Sequence, residues 1–372
     1  MQFSFSDQQL EFRDTVRHLL DRECTAVDLR VAFSQPVART PRWRALAELG
    51  VVGLTVPEAQ GGLGLGMTDL VLLLEEAGRA GLPEPLLETT ALTGSLLTRA
   101  PHAATGALLS AIAAGDITAA VAPRGARAAT DAPTGCSGAR GETGLGIRVT
   151  DLVPAAVGAD VLLLTIDDDG RRPELHAVRA AQSEVTPVPT LDPTRRMGNV
   201  SWDPSPSSRI AVGEEAHLAL VDLADLASVA TAAELLGLAD RLIATTTAYA
   251  RERHQFGKPI GSFQAVKHLL AGAQVKLEFA RPAVYAAAWS LDEAREPGER
   301  DRTSRSASLA KACASDAAAE AARVSLQVHG AVGYTWECDL QLYLKRAWAL
   351  AEAWGSAKEH RRRILASLLD ER

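Results

Sequence analysis

Arg253, the pair Phe256-Gly257, Gln264, Gln327 and Gly330 are residue types that can bind a ligand. A guanidinium presents a planar fork of donors that matches the oxygens of a phosphate or carboxylate. The carboxamides of Gln264 and Gln327 can both donate and accept, and the ring of Phe256 offers a flat apolar face. Gly257 lets the chain turn sharply at a helix end, and Gly330 permits close backbone approach. Singly, each has an ordinary alternative: Arg253 as half of a surface ion pair, Gln264 as a helix cap. Two carboxylates, Glu234 and Glu352, are the candidates for a proton acceptor, and each reads equally as a solvated or ion-paired helix residue. The glycines of VVGLTVPEAQGGLGLGMTD (51–69) invite comparison with a phosphate cradle. No strand pattern precedes them and no GK[ST] follows, so a tight loop between helices is expected. Cys24, Cys136, Cys313 and Cys338 lie far apart without CxxC or Cys/His spacing, which predicts reduced, packed thiols and no metal site.

The elements that must position these residues follow from periodicity. Ser6-Asp7 offers a cap before QQLEFRDTVRHLLDRE, in which Leu10, Phe12, Val16, Leu19 and Leu20 fall on one helical stripe. Short helices are expected over Trp43–Leu49, Met67–Arg79 and Pro85–Thr98. Near Asp116 the texture changes to prolines, glycines and short β-branched runs such as VLLLTI (161–166). Asp168-Asp169-Gly170 is a predicted hairpin turn between VLLLTI and ELHAV, and ARAATDAPTGCSGARGETG a predicted surface loop. From Glu214 onward long alanine-rich helices return, over about 214–253, 263–293, 301–330 and 340–369; small residues allow close helix packing. The reading is α+β, mostly α: a helical domain over 1–118, a middle β domain over 119–212 and a C-terminal four-helix bundle over 213–372.

The chain has 372 residues, 47% of them hydrophobic and 23% charged, enough to bury a sizeable core. A net charge of -7 argues against bulk nucleic-acid binding. The N-terminus shows no basic region leading an apolar stretch, and no apolar run approaches membrane-spanning length. A cytoplasmic protein with neither nucleic-acid nor membrane partners is expected.

Three stretches resemble the acyl-CoA dehydrogenase family: RWRALAELGVVGLTVPEAQGGLGLGMTDLVLLLEEAGRAG (42–81), AYARERHQFGKPIGSFQAVKHLLA (248–271) and QVHGAVGYTWECDLQLYLKRA (327–347). Their order and spacing match, so the resemblance covers essentially the whole chain. It implies a helical, β, helical fold and FAD as cofactor, with an acyl-CoA or acyl-carrier thioester as substrate. It also implies that Arg253, Phe256, Gln264, Gln327, Gly330 and Ser356 serve a cofactor, the ADP half of which is reached across a subunit interface.

The same resemblance exposes departures. The family's glutamate, which removes the α-proton while the β-hydride goes to the flavin, usually precedes a Gly-Thr pair; here LAEAWGSAKEHRR puts Trp354 there. A second group of members carries it on the helix before RxxFG, at the position of Ala227. Neither side chain accepts a proton. Glu234 lies two turns beyond Ala227, roughly 10 Å along the same face; Glu352 points elsewhere. The flavin-side loop TEPxxGSD corresponds to VAPRGARAA, with Val121-Ala122-Pro123 for Thr-Glu-Pro, and the Trp-Ile-Thr strand to Leu152-Val153-Pro154. Three readings follow. The chain is a subunit of a mixed oligomer in which a related chain supplies the base, a self-sufficient FAD dehydrogenase with a relocated base such as Glu234, or a repurposed non-redox or structural member of the fold; a homo- or hetero-oligomer is expected under the first two. A flavoprotein electron acceptor fits the first two. The retained set serves a neighbour's cofactor and the lost set would serve the chain's own, which favours the first.

Overall fold

The computed structural model describes residues 4–35, 39–99, 105–122, 127–128, 147–167, 172–293 and 299–370. It divides into two compact units that are not continuous in sequence: 1–31, 67–82 and 225–372 form one, and 32–66 with 83–224 form the other.

The first unit holds α1 (Asp7–Glu23), α4 (Met67–Ala80), most of α7 (Glu214–Glu252), α8 (Gln264–Glu293), α9 (Arg300–His329), α10 (Leu340–Glu352) and α11 (Ala357–Asp370). Ser6 caps α1 in a reciprocal box with Gln9, and Val16, Leu19 and Leu20 of the expected stripe are buried. α4 and α7 cross at backbone contact. A Cβ on Gly78 would collide with the carbonyl of Glu234, and one on Gly237 with that of Glu75. That closeness buries Glu75 and Glu76, which need cations. Arg17 of α1 and Arg79 clasp Glu76 with Nε–Oε2 distances of 2.9 and 2.7 Å. Arg281 of α8 pairs with Glu75, which also accepts from the Tyr285 hydroxyl at 2.6 Å.

The last expected helix is in fact two. Trp354 at φ 58° and Gly355 at φ 102° break it, and Ser356 with Glu359 then forms a fresh capping box for α11. α9, with Ala307, Ala310, Ala314, Ala317, Ala318 and Ala321 buried, packs against α8, α10 and α11.

The second unit holds α2 (Ala26–Ser34) in part, α3 (Pro41–Glu48), a π-helical stretch Leu87–Gly94 continuing into α5 (Ser95–Arg99), α6 (Thr105–Ala113) and the strands. The glycine-rich loop closes on itself: the Leu63, Gly64 and Leu65 amides donate to the Gly53, Val56 and Leu54 carbonyls. Those donors are therefore spent, as a tight loop requires. Buried Arg42 and Glu84 form an ion pair at 2.7 Å.

The strands are β1 (Ala119–Val121), β2 (Arg127–Ala128), β3 (Arg148–Val153), β4 (Val161–Ile166), β5 (Glu174–Arg179), β6 (Ser183–Pro187), β7 (Gly198–Trp202) and β8 (Arg209–Val212). They form one sheet in the order β1-β4-β5-β8 and another in the order β2-β3-β7-β6. β1 pairs parallel with β4; β4 and β5 are antiparallel, with Ile166 opposite Glu174. The turn predicted at Asp168-Asp169-Gly170 lies outside the described residues, as does nearly all of the predicted 126–144 loop. β4 is buried throughout, and Leu162, Leu164, Val178, Val200 and Trp202 share one core. Among the described residues no helix is long and apolar enough to cross a membrane, and no acidic, histidine or cysteine cluster could hold a metal. Cys24, Cys313 and Cys338 are free thiols.

Candidate functional site

Residues of the two C-terminal motifs meet at one end of the first unit. Tyr249, in the last turns of α7, stacks on His329 at the end of α9, with ring centroids 4.3 Å apart and planes 15° from parallel. That stack brings Arg253, one turn beyond Tyr249, and Gly330, next to His329, to the same end of the bundle. The chain then reverses through two short strands, β9 (His254–Gln255) and β10 (Lys258–Pro259). Phe256 and Gly257 are the turn between them, at φ 54° and 79°; two successive positive φ values match the right-handed twist of a tight hairpin. Ile260 donates to the Arg253 carbonyl at 2.8 Å and closes the loop. Gly261 sits against the Ala250 carbonyl, where a side chain would crowd it. α8 then opens at Gln264.

The consequence is a set of presented side chains. Phe256 is 91% exposed and lies perpendicular to Phe263, with ring centroids 6.1 Å apart; the Lys258 ammonium lies over the Phe263 ring at 4.4 Å. Arg253, Gln264 and Gln327 are exposed. Among the described residues none of their side chains makes a hydrogen bond or ion pair. Gly330 ends α9 at φ 63°, ψ -141°, and an added Cβ there would meet nothing. Glycine is required by that dihedral rather than by crowding. Beyond it Val332, Tyr334 and Trp336 are exposed, the last beneath Arg30 at 5.6 Å and Lys345 at 4.7 Å. His329 is buried, and burial lowers its pKa although Nδ1 lies 2.8 Å from the Ser325 carbonyl.

The candidate bases fall elsewhere. Ala227 is wholly buried in α7. Glu234 is buried too, but its carboxylate accepts from Arg346 of α10 at 3.3 Å and its backbone is pressed against Gly78. Glu352 is exposed at the end of α10. Ser356 is engaged in the α11 cap: its hydroxyl donates to Glu359 at 2.8 Å and accepts from the Glu359 amide at 3.3 Å. In the sheets, Val121 and Ala122 are buried, Pro123 lies outside the described residues, and Leu152 stands half-exposed at φ 54°. The Leu152 amide donates to Asn199 Oδ1 at 3.0 Å, and Val153 is buried.

Two side chains that the sequence did not single out organise the turn at Trp354. Lys311 of α9, fully buried, donates to the carbonyls of Ala351 and Gly355 at 2.9 and 3.1 Å. His360 of α11, also buried, reaches the Trp354 carbonyl with Nε2 at 3.0 Å. A lysine in an alanine-rich helix reads as a solvated residue, so only its place on the buried face of α9 could have given it away.

Residues 6–116 match the acyl-CoA dehydrogenase N-terminal domain, and residues 224–369 match the acyl-CoA dehydrogenase C-terminal domain. The chain belongs to the acyl-CoA dehydrogenase family. It is 32% identical to acyl-CoA dehydrogenase IpdE2 of Mycolicibacterium smegmatis, over 98% of this chain and 99% of that one. Among solved structures it resembles a chain of the ChsE4-ChsE5 complex from Mycobacterium tuberculosis, with TM-score 0.86, 25% identity and coverage of 100% and 99% of the two chains. A variant of the Tcur3481-Tcur3483 steroid ACAD matches with TM-score 0.83 and 27% identity over 98% of each chain.

Proposed function

We propose that this chain is one subunit of a mixed oligomer that carries out FAD-dependent α,β-dehydrogenation of an acyl thioester, with a related chain supplying the catalytic base. The observation that carries this reading is an asymmetry. At the α7–α9 end, Arg253, Gln264 and Gln327 are exposed with no side-chain hydrogen bond or ion pair among the described residues and Phe256 is 91% exposed, whereas both base positions hold side chains without a proton acceptor.

That end fits the ADP half of FAD: a guanidinium for the pyrophosphate, two carboxamides for its polar edges and a phenyl ring held out on a turn. FAD held there would supply the acceptor for the hydride that leaves the β-carbon. This chain's own part is to bind and orient, through Arg253 at the phosphates and the Phe256-Gly257 turn at the flat portion. Glu234 is held by Arg346 rather than presented as an acceptor, so the proton is assigned to the partner's carboxylate. Two of the similar solved structures are named as two-component proteins, which supports the mixed assembly. A further support is the outer face of α8, where Val275, Phe279, Pro282, Ala286 and Trp289 are all exposed at alternating four- and three-residue spacing, the repeat of a helix seam. An acyl-CoA or carrier-bound thioester and a flavoprotein electron acceptor complete the reading.

The test is turnover by the complex with a related, glutamate-bearing chain. Glu234→Gln in this chain leaves kcat within twofold, while Glu→Gln at the partner's base abolishes it. Loss of turnover with E234Q would move the base to this chain.

A further inference from the structure

The break between α10 and α11 is held from inside by two buried side chains on different helices. From α9, the Lys311 ammonium donates to the Ala351 carbonyl (2.9 Å), the Gly355 carbonyl (3.1 Å) and Ser315 Oγ (3.0 Å). From α11, His360 Nε2 lies 3.0 Å from the Trp354 carbonyl. Because a carbonyl only accepts, Nε2 carries the proton. Nδ1 is buried and makes no hydrogen bond among the described residues, which fits a neutral ring beside the ammonium. Burial, reinforced by the Lys311 charge, lowers the pKa of His360 to about 4.

Between those two clamps the backbone is strained. Trp354 sits at φ 58°, a left-handed conformation in which the Cβ of an L-residue crowds its own backbone. Gly355 is at φ 102°, and a Cβ there would lie 3.0 Å from His360 Nε2. A bulky side chain keeps such a conformation only where its surroundings over-determine it. Here three carbonyls of residues 351–355 and the capping box of Ser356 with Glu359 do so.

We propose that Lys311 and His360 are positioning residues that lock this turn and so fix the indole of Trp354 as a rigid wall of the acyl site, rather than a mobile side chain beside it. The wall role rests on the proposed function, in which Trp354 stands at a base position and so faces the acyl thioester; the lock itself does not.

Two arms separate the claims. The first uses the chain alone. Iodide quenching of Trp354 is obtained for each variant as the difference from the same variant carrying Trp354→Phe, which removes the contribution of the other tryptophans. Lys311→Met and His360→Ala raise the quenching constant at least twofold, whereas His360→Gln, which keeps an N–H donor, restores the parent value. Gly355→Ala, which pushes on the ring of His360, behaves like H360A and decides the matter if K311M does not fold. Lower melting temperatures with an unchanged quenching constant would overturn the lock and leave only a structural role. In the second arm, the complex with the related chain is assayed with octanoyl-CoA. H360A and Trp354→Ala change kcat/KM in the same direction by threefold or more at unchanged flavin content, and H360Q does not. Unchanged kcat/KM in H360A and W354A would overturn the wall. Absence of turnover with the parent chain would refute the proposed function, and the quenching result would stand apart from it.

Discussion

At the residue scale, Phe256 and Arg253 have opposite relations to their own fold. Phe256 accepts the strain of a positive φ to stand almost fully in solvent, where its ring gains little from burial. Such a placement is stable in a monomer only because the hairpin demands it, and it becomes useful when something flat covers the ring. Arg253 is exposed on the same turn. In the assembled complex, Arg253→Gln therefore weakens FAD by about 10- to 100-fold, the worth of a charge-assisted phosphate contact. Equilibrium dialysis of flavin measures it, and the melting temperature of the apo chain stays unchanged. His360 yields a prediction in the acid range. Its folded pKa is about 4 and the unfolded value about 6.5, so between these the unfolded chain binds the extra proton. The stability it contributes is full above pH 6.5 and is lost as pH falls toward 4, by about 2 kcal/mol between pH 7 and 5. Burial lowers His176 and His329 as well, which adds slope of the same sign. Urea midpoints at the two pH values show the loss, and H360Q flattens it.

At the element scale, the crossing of α4 and α7 depends on Gly78 and Gly237 and on the carboxylates that their closeness buries. Gly237→Ala drives a methyl into the Glu75 carbonyl and parts the helices, separating Glu75 and Glu76 from Arg281, Arg17 and Arg79. A loss of about 3 kcal/mol or more in unfolding free energy is expected, against a gain of up to about 1 kcal/mol for Gly272→Ala on the open face of α8. Much of this level was legible in the sequence. The cap at Ser6, the alternation from helices to strands and back, and the ends of α7, α8 and α9 all follow from periodicity and punctuation. The break at Trp354 did not, because its alanine-rich flanks continue the helical period. The Ser356-x-x-Glu359 start signal was present, but it stood inside an apparent helix. The π-helical turn at Leu87–Gly94 was also hidden: Thr90 donates to the Val52 carbonyl at 2.9 Å and Thr89 bonds to residue 119, partners no local pattern reveals. At the site, the motif residues came from the family resemblance, and their part in holding a cofactor stays a proposal. Lys311 and His360 were not legible, since their meaning lies in carbonyls that only the tertiary fold delivers.

At the scale of the whole molecule, the proposed function needs a second, related subunit, and the exposed face of α8 is the surface proposed to meet it. Phe279, 78% exposed in the middle of that face, is the place to cut the assembly. Phe279→Asp would bury a charge at the interface and shift the oligomer toward the monomer by at least 100-fold in dissociation constant, read by sedimentation, with the fold of each subunit intact. The most direct measurement is the visible absorption spectrum, with the flavin-to-protein ratio of the chain purified alone and of the chain co-purified with a related, glutamate-bearing subunit. The account predicts a colourless protein alone and a yellow complex. A ratio near one for the chain by itself would contradict it and make this a self-sufficient flavoprotein.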